Sequence, residues 1–288
     1  MKFEFMKDKS KEFSIEKMAE VFELSINGYY SYIKRKPSRR ERENNHLTDL
    51  VIRTYREGRS MYGSPRIHGR LKRLGVNCSR KRVAKLMKNQ GLSAKMRKSW
   101  EKTTKQGKRE AAKNLVCQEF RVDTPNHTWV SDITYIKTKE GWLYLTAIID
   151  LFSRKVVGMS MGERLETALI ERALDQALYQ RAPLEGLIHH SDRGCQYTSE
   201  EFGKMAKSHG ILLSMSGTGN CYDNAVAESF FHTLKTEHVY QHKFETREDA
   251  KRSLFEYVEV FYNRQRAHSF LGYLSPEEFE KDWSKQVI

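Results

Sequence analysis

Residues 128–162 read TWVSDITYIKTKEGWLYLTAIIDLFSRKVVGMSMG. Three runs rich in Val, Ile, Thr and aromatic residues are parted by turn-like breaks at Lys139 to Gly141 and at Ser153 to Arg154, which predicts three strands in an antiparallel meander. The middle run, 143–149, is nearly all apolar, so it is expected to be central and covered on both faces. Helical spacing follows at Ala168, Leu169, Ile170, Ala173, Leu174, Ala177 and Leu178, then a short strand in GLIHHSD, a helix from about Ser199 to Ser208, and a strand in ILLSMS. Residues 224–266 read as helical. Strands alternating with helices after a meander predict a mixed sheet with helices packed on it, an α/β fold.

Upstream of this stretch the chemistry changes. Residues 1–125 hold 32 Lys and Arg against 14 Asp and Glu, a net of +18, whereas residues 126–288 hold 19 against 23, a net of −4. A basic half attracts phosphate backbones by counterion release, whatever their sequence. Within it, Ile15, Met18, Ala19 and Phe22 lie at helical spacing, and Ser25 is placed to cap a second helix with Ile26, Tyr29, Tyr30 and Ile33 on its apolar face. Such a pair fits a helix-turn-helix or a plain helical hairpin. A second pair is better punctuated: Ser64 and Pro65 open a helix carrying Ile67, Leu71 and Leu74, Gly75 ends it, Ser79 caps the next, and Gly91 ends that. In SRKRVAKLMKNQG the stripe Val83, Leu86 and Met87 leaves Arg80, Lys81, Arg82, Lys85 and Lys88 for solvent or a DNA groove.

Several classes are disfavoured. No apolar run approaches the ~18 residues of a membrane span, and the charged start MKFEFMKDKSKEF lacks a secretory pattern, so a cytoplasmic protein without a membrane partner is expected. Cys78, Cys117, Cys195 and Cys221 have no CxxC spacing, which argues against a zinc ribbon or a disulfide framework.

Three acids stand out. Asp132 interrupts a β-favouring run, where a charge is costly unless paired or holding a metal. Asp192 ends the strand in GLIHHSD ahead of a glycine-containing loop, and Asn224, Glu228 and Lys235 fall on one face of the helix expected from about Asn224. Oxygen-only ligands suit a hard ion such as Mg²⁺. The residues alone leave a second reading open, that these are surface acids and helix caps.

The segments WVSDITYI, GWLYLTAIIDLFSRKVVG, HHSDRGCQYTS, GNCYDNAVAESFFHTLKTE and YNRQRAHSFLGYLSPEEF, in this order, resemble the DDE-type insertion-sequence transposases with a retroviral-integrase-like core, specifically their catalytic second frame, OrfB. The 35 residues between Asp192 and Glu228 match that family's interval. The resemblance implies a ribonuclease H-like core in which Asp132, Asp192 and Glu228 are catalytic and bind two Mg²⁺ ions, with Mn²⁺ able to substitute. It implies Lys235 as a contact to the transposon-end DNA, and it places Gly194, Gln196, Tyr197 and Asn224 inside the family's motifs. It keeps Asp150, in DLFSR, outside the triad, so Asp150 is expected to be structural. His189 and His190 are read as packing or supporting residues beside Asp192, with metal binding the lesser alternative.

The expected domains are a helical region over 1–58, a second helix-turn-helix-like module over 59–95, a basic linker over 96–124 with one helix at most, and the catalytic core with its C-terminal helices over 125–285. The zinc module of retroviral integrases has no counterpart here. The resemblance further implies metal-dependent cleavage at transposon ends and strand transfer, with terminal inverted repeats and target DNA as partners. It also implies an upstream-frame partner or fusion (OrfA) and a homo-oligomer on DNA, associated with the nucleoid. A non-catalytic DNA-binding protein and a nuclease that hydrolyses without joining are the rival readings.

Overall fold

The structure, a computed structural model, describes residues 2–95, 112–117, 119–217 and 224–287. It forms two compact units, Met1–Leu50 and Val51–Ile288.

The first unit is helical. α1 (Lys2–Asp8), α2 (Ile15–Val21) and α3 (Ile26–Lys34) enclose a small core of Met6, Met18, Ala19 and Tyr29, flanked by Phe3, Ile15, Phe22 and Leu24. Ser14 and Ser25 cap α2 and α3 by accepting from the N–H groups of Lys17 and Gly28. The expected apolar face of α3 is narrower than its spacing suggests: Tyr29 is buried, while Ile26, Tyr30 and Ile33 stay exposed. Helices this short bury one strip against few neighbours, so the periodicity overstates what is covered. α4 (Arg39–Glu57) spans the division between the units. Its polar start hides it from a search for apolar periodicity, yet Ser38 and Glu41 form a reciprocal capping box: the Ser38 hydroxyl accepts from Glu41 N–H at 3.2 Å, and the Glu41 carboxylate accepts from Ser38 N–H at 3.3 Å.

In the second unit α5 (Ser64–Arg73) packs on α6 (Arg80–Asn89) through Ile67, Leu71, Val83, Leu86 and Met87. Gly75 and Gly91, both at positive φ, end the two helices as their positions predict. Leu74 is 63% exposed, because it lies past the last turn of α5 and outside the expected stripe. The linker expectation falls largely on residues 96–111 and 118, which lie outside the described residues. Of the remainder, Leu115 N–H donates to Ser214 Oγ at 2.9 Å.

The five-stranded sheet has the order β3-β2-β1-β4-β5, from β1 (Thr128–Thr138), β2 (Gly141–Asp150), β3 (Val156–Gly162), β4 (Ile188–Ser191) and β5 (Leu212–Met215). The first three form the antiparallel meander; β4 pairs parallel with β1, and β5 with β4. This mixed sheet with its helices is the ribonuclease H-like arrangement. β2 is buried without a break from Leu145 to Asp150, as its apolar run predicts.

α7 (Thr167–Arg181) and α8 (Glu200–Ser208) join Trp129, Ile148, Val157, Leu187, Tyr197 and Met215 in the main core. α7 presses so closely on β3 that a Cβ at Gly158 would stand 2.3 Å from the Ala173 carbonyl oxygen, so only glycine fits.

The stretch expected to be helical over 224–266 is broken. α9 (Ala225–Glu237) ends before a short 3₁₀ turn, and α10 (Arg247–Phe255) runs on into π-helical turns over Glu256–Tyr262. Between them Phe244 forms a bridge with Thr138 at the end of β1, and Thr246 caps α10, so the chain spends this interval on the sheet and on a new helix start. α11 (Pro276–Val287) opens on a second capping box, from Ser275 and Glu278. Among the described residues, no helix is long and apolar enough to cross a membrane.

Candidate active site

The register of the sheet places the two aspartates. Along the parallel pair, Thr128 faces Ile188, Trp129 faces His189 and Val130 faces His190, a constant offset of 60. Carried two residues further, the same offset sets Asp132 beside Asp192, just beyond the end of β4. Equal parity along both strands turns the two carboxylates to one face. Asp132 keeps part of its surface open yet sits deep among protein atoms. Burial, and then the Asp192 charge, push it up to about 7; Glu228 adds to the rise, while the Ile133 N–H and Lys235 oppose it. The Asp192 carboxyl is also raised by burial, against the hydrogen bond it accepts from Gly194 N–H at 2.9 Å. That turn is tight: a Cβ at Gly194 would stand 3.0 Å from Asp192 Oδ1. Arg193 Nε secures the loop by donating to the Ser216 carbonyl at 2.7 Å.

The third acid arrives on α9. Asn224, at its N-cap, is buried and donates from Nδ2 to the Ser131 carbonyl at 3.2 Å, which ties the helix start to the strand bearing Asp132. Glu228 lies one turn on, largely exposed, with its carboxyl raised by partial burial. Lys235 follows two turns later on the same face, its ammonium 5.1 Å from the centroid of the Tyr135 ring.

Asp132, Asp192 and Glu228 thus share one electrostatic neighbourhood. Among the described residues, however, no three His, Cys, Asp or Glu side chains are gathered closely enough to form a metal cage as they stand. The donor set still fits a hard divalent ion: it is all oxygen, it is anionic, and Asp192 and Glu228 both raise the proton affinity of Asp132, a cost that a positive ion removes.

The neighbouring residues separate by role. Tyr197 is buried against His189 and Phe202, and burial followed by the charge of Asp132 holds its hydroxyl protonated, so it shapes the floor of the site. His189 is packed in the same aromatic group and pushed down to about 4 by burial. His190 bridges the hydroxyls of Ser214 and Ser216 at 2.8 and 3.2 Å. Gln196 is half-buried in the turn after Asp192. Asp150 is wholly buried and accepts from the N–H groups of Asn126 and Phe152, both at 2.9 Å, with Arg181 at 3.3 Å. Two backbone N–H groups and a guanidinium thus occupy its carboxylate oxygens.

On α6, Arg80, Lys81, Lys85 and Lys88 are exposed and Arg82 is half-buried, so the basic face expected from the sequence is available. Sequence patterning missed how α5 lies against the rest of the second unit. Arg70 pairs with Glu278 at 2.8 Å, the Tyr62 hydroxyl accepts from Ala267 N–H at 2.7 Å, and Arg66 pairs with Glu237 at 2.8 Å. Partners some 170 to 210 residues apart leave no local signal.

Integrase core domains match residues 122–221 and 228–282, and an HTH-like domain matches residues 42–100. The chain is 40% identical to the "Insertion element IS600 uncharacterized 31 kDa protein" of Shigella sonnei, across 94% of this chain and 100% of that one. It is 39% identical to "Transposase InsF for insertion sequence IS3A" of Escherichia coli (strain K12), across 97% of this chain and 98% of that one. Among solved structures, a simian T-cell lymphotropic virus intasome in complex with the PP2A regulatory subunit B56 gamma aligns with a TM-score of 0.46 and 16% identity, covering 70% of this chain and 67% of that one. The sequence relatives carry the assignment: the chain belongs to the IS3 family of DDE-type insertion-sequence transposases, enzymes that cut and join DNA.

Proposed function

We propose that Asp132, Asp192 and Glu228 are the catalytic acids and hold two Mg²⁺ ions, with Mn²⁺ able to substitute. The observation that carries this is the offset of 60 between β1 and β4, which brings two aspartates abreast while α9 adds a glutamate within their field. Such an ion pair, when bound, activates an attacking oxygen and neutralises the leaving oxygen at a phosphodiester.

The chain's own residues position the reactants. Asp132 is fixed within a strand and Asp192 by its Gly194 turn, so neither has to be ordered during the reaction. Lys235, on the Glu228 face of α9, binds a phosphate of the terminal DNA, and the basic face of α6 (Arg80, Lys81, Arg82, Lys85, Lys88) holds the duplex further out. Water attacks first at a transposon end and frees a 3′ hydroxyl, which then attacks a second phosphodiester. Neither step needs a covalent bond to the protein. Two ends are processed together, so the chain acts as a homo-oligomer on its terminal inverted repeats, with an upstream-frame protein (OrfA) as partner or fusion. It works in the cytoplasm on the nucleoid.

The test is a joining assay with the gene, its native flanks and any overlapping upstream frame on a plasmid, amplifying across abutted element ends. Wild-type junctions that vanish in Asp192→Asn, with DNA binding retained, support the assignment. Junctions formed by Asp192→Asn overturn it.

A further inference from the structure

α9 is a bar with two working sides. At 3.6 residues per turn, Lys235 stands within about 20° of Glu228 around the helix, whereas Glu237, nine residues on, lies about 180° away. Glu228 and Lys235 therefore face the reaction, and Glu237 faces elsewhere. What Glu237 meets is a buried cluster of partners. Arg266 grips it with two hydrogen bonds, Nε to Oε2 at 2.7 Å and Nη2 to Oε1 at 2.8 Å, and the Tyr257 hydroxyl donates to Oε2 at 3.0 Å. The remaining partner is Arg66 of α5, whose Nη1 donates to Oε1 at 2.8 Å. The side chains of Glu237 and Arg266 are 9% and 3% exposed, so the anchor is dry, while Arg66 is 29% exposed at its rim. Burial alone would raise the Glu237 carboxyl, but Arg266 and Arg66 hold it at about 2.

α5 is also the helix that carries α6. Ile67 and Leu71 bury its inner stripe, and the basic residues of α6 remain open to a duplex. A continuous path of contacts thus leads from the basic face, through the α5 and α6 pair, across Arg66 to Glu237, and along α9 to Glu228 and Lys235.

We propose that the Arg66–Glu237 contact couples DNA engagement on α5 and α6 to the placement of Glu228 and Lys235, making Arg66 and Glu237 positioning residues for end cleavage. This rests on the reading of Glu228 as a catalytic acid. A DNA end seated on α6 exerts its pull through α5, and the contact aligns α9 only when that pair is in place. A misplacement of about 1 Å at a reacting group costs on the order of a hundredfold in rate, so a contact remote from the chemistry can control it.

The decisive variant is Arg66→Met, which keeps much of the side-chain length and leaves the buried Glu237–Arg266 pair intact. The probe is a duplex carrying the element's own terminal sequence, taken from the flanks of the gene, at saturating concentration with Mg²⁺. The single-turnover cleavage rate is expected to fall at least about tenfold, with duplex affinity within about twofold of wild type and most of the rate restored by Arg66→Lys. Cleavage within about twofold of wild type overturns the proposal. So does a loss of rate matched by an equal loss of affinity or of folded protein, which marks the contact as structural only. Asp192→Asn runs alongside: cleavage by that variant refutes the triad and not the coupling.

Discussion

Two carboxylate sites in the second unit make opposite use of burial. At Asp132 burial and two neighbouring acids outweigh the Ile133 N–H and Lys235, and the carboxyl is pushed up to about 7. Around Glu237 the neighbours are two arginines and a tyrosine, and the carboxyl is held at about 2. Both sites pay desolvation, but only one is repaid from within the chain. The difference separates an acid whose charge its surroundings oppose from an acid whose charge they satisfy. Asp150, another buried carboxylate, resembles Glu237 in its partners: two backbone N–H groups and Arg181 bind it, although burial still pushes it up to about 6.

The comparison can be broken most directly at Asp132. Asp132→Asn is expected to lower end joining on the order of a thousandfold or more, with no fall in the thermal midpoint, since the amide removes a like charge. A variant that still joins and melts lower would place Asp132 in the structural class.

The converse change, Glu237→Gln, leaves Arg266 buried without its counter-charge and is expected to cost about 3 to 5 kcal/mol of stability at neutral pH, read by urea unfolding. Because the folded Glu237 lies below the ordinary carboxylate value of 4.5, its contribution is complete above that value and is lost as pH falls through about 2. The acid loss amounts to about 3 kcal/mol and should be absent from the glutamine variant. An unchanged acid limb in Glu237→Gln would show that the network contributes nothing.

The smallest effect sharpens the contrast between chemistry and binding. Lys85→Ala on α6 is expected to reduce the slope of log affinity against log salt by about 0.9, with cleavage of fully bound ends unaltered. A slope that does not move would remove Lys85 from the DNA contacts.

Local grammar made much of the architecture legible. The serines at 14, 25, 79 and 199 cap the helices they precede, and Gly75 and Gly91 end theirs at positive φ. The capping boxes at Ser38 and Ser275 carry an equally local signal, although the charged run after Ser38 hides the first. Other features were not legible. Helical spacing across 224–266 does not reveal the break near 238–246, because the cause is a strand that Phe244 reaches some hundred residues back in the chain. The exposure of Ile26, Tyr30 and Ile33 likewise depends on how many helices surround α3.

By itself the sequence determined the meander, the charge division and the three acids with their family's interval, because strand alternation, capping and motif spacing act over a few residues or along one order of motifs. The tertiary structure alone decided that Asp132 and Asp192 stand abreast, that Asp150 is satisfied, and that Arg66 reaches Glu237 across 171 residues. Those facts follow from sheet register and helix docking, where distant segments meet and each charge finds, or fails to find, a partner.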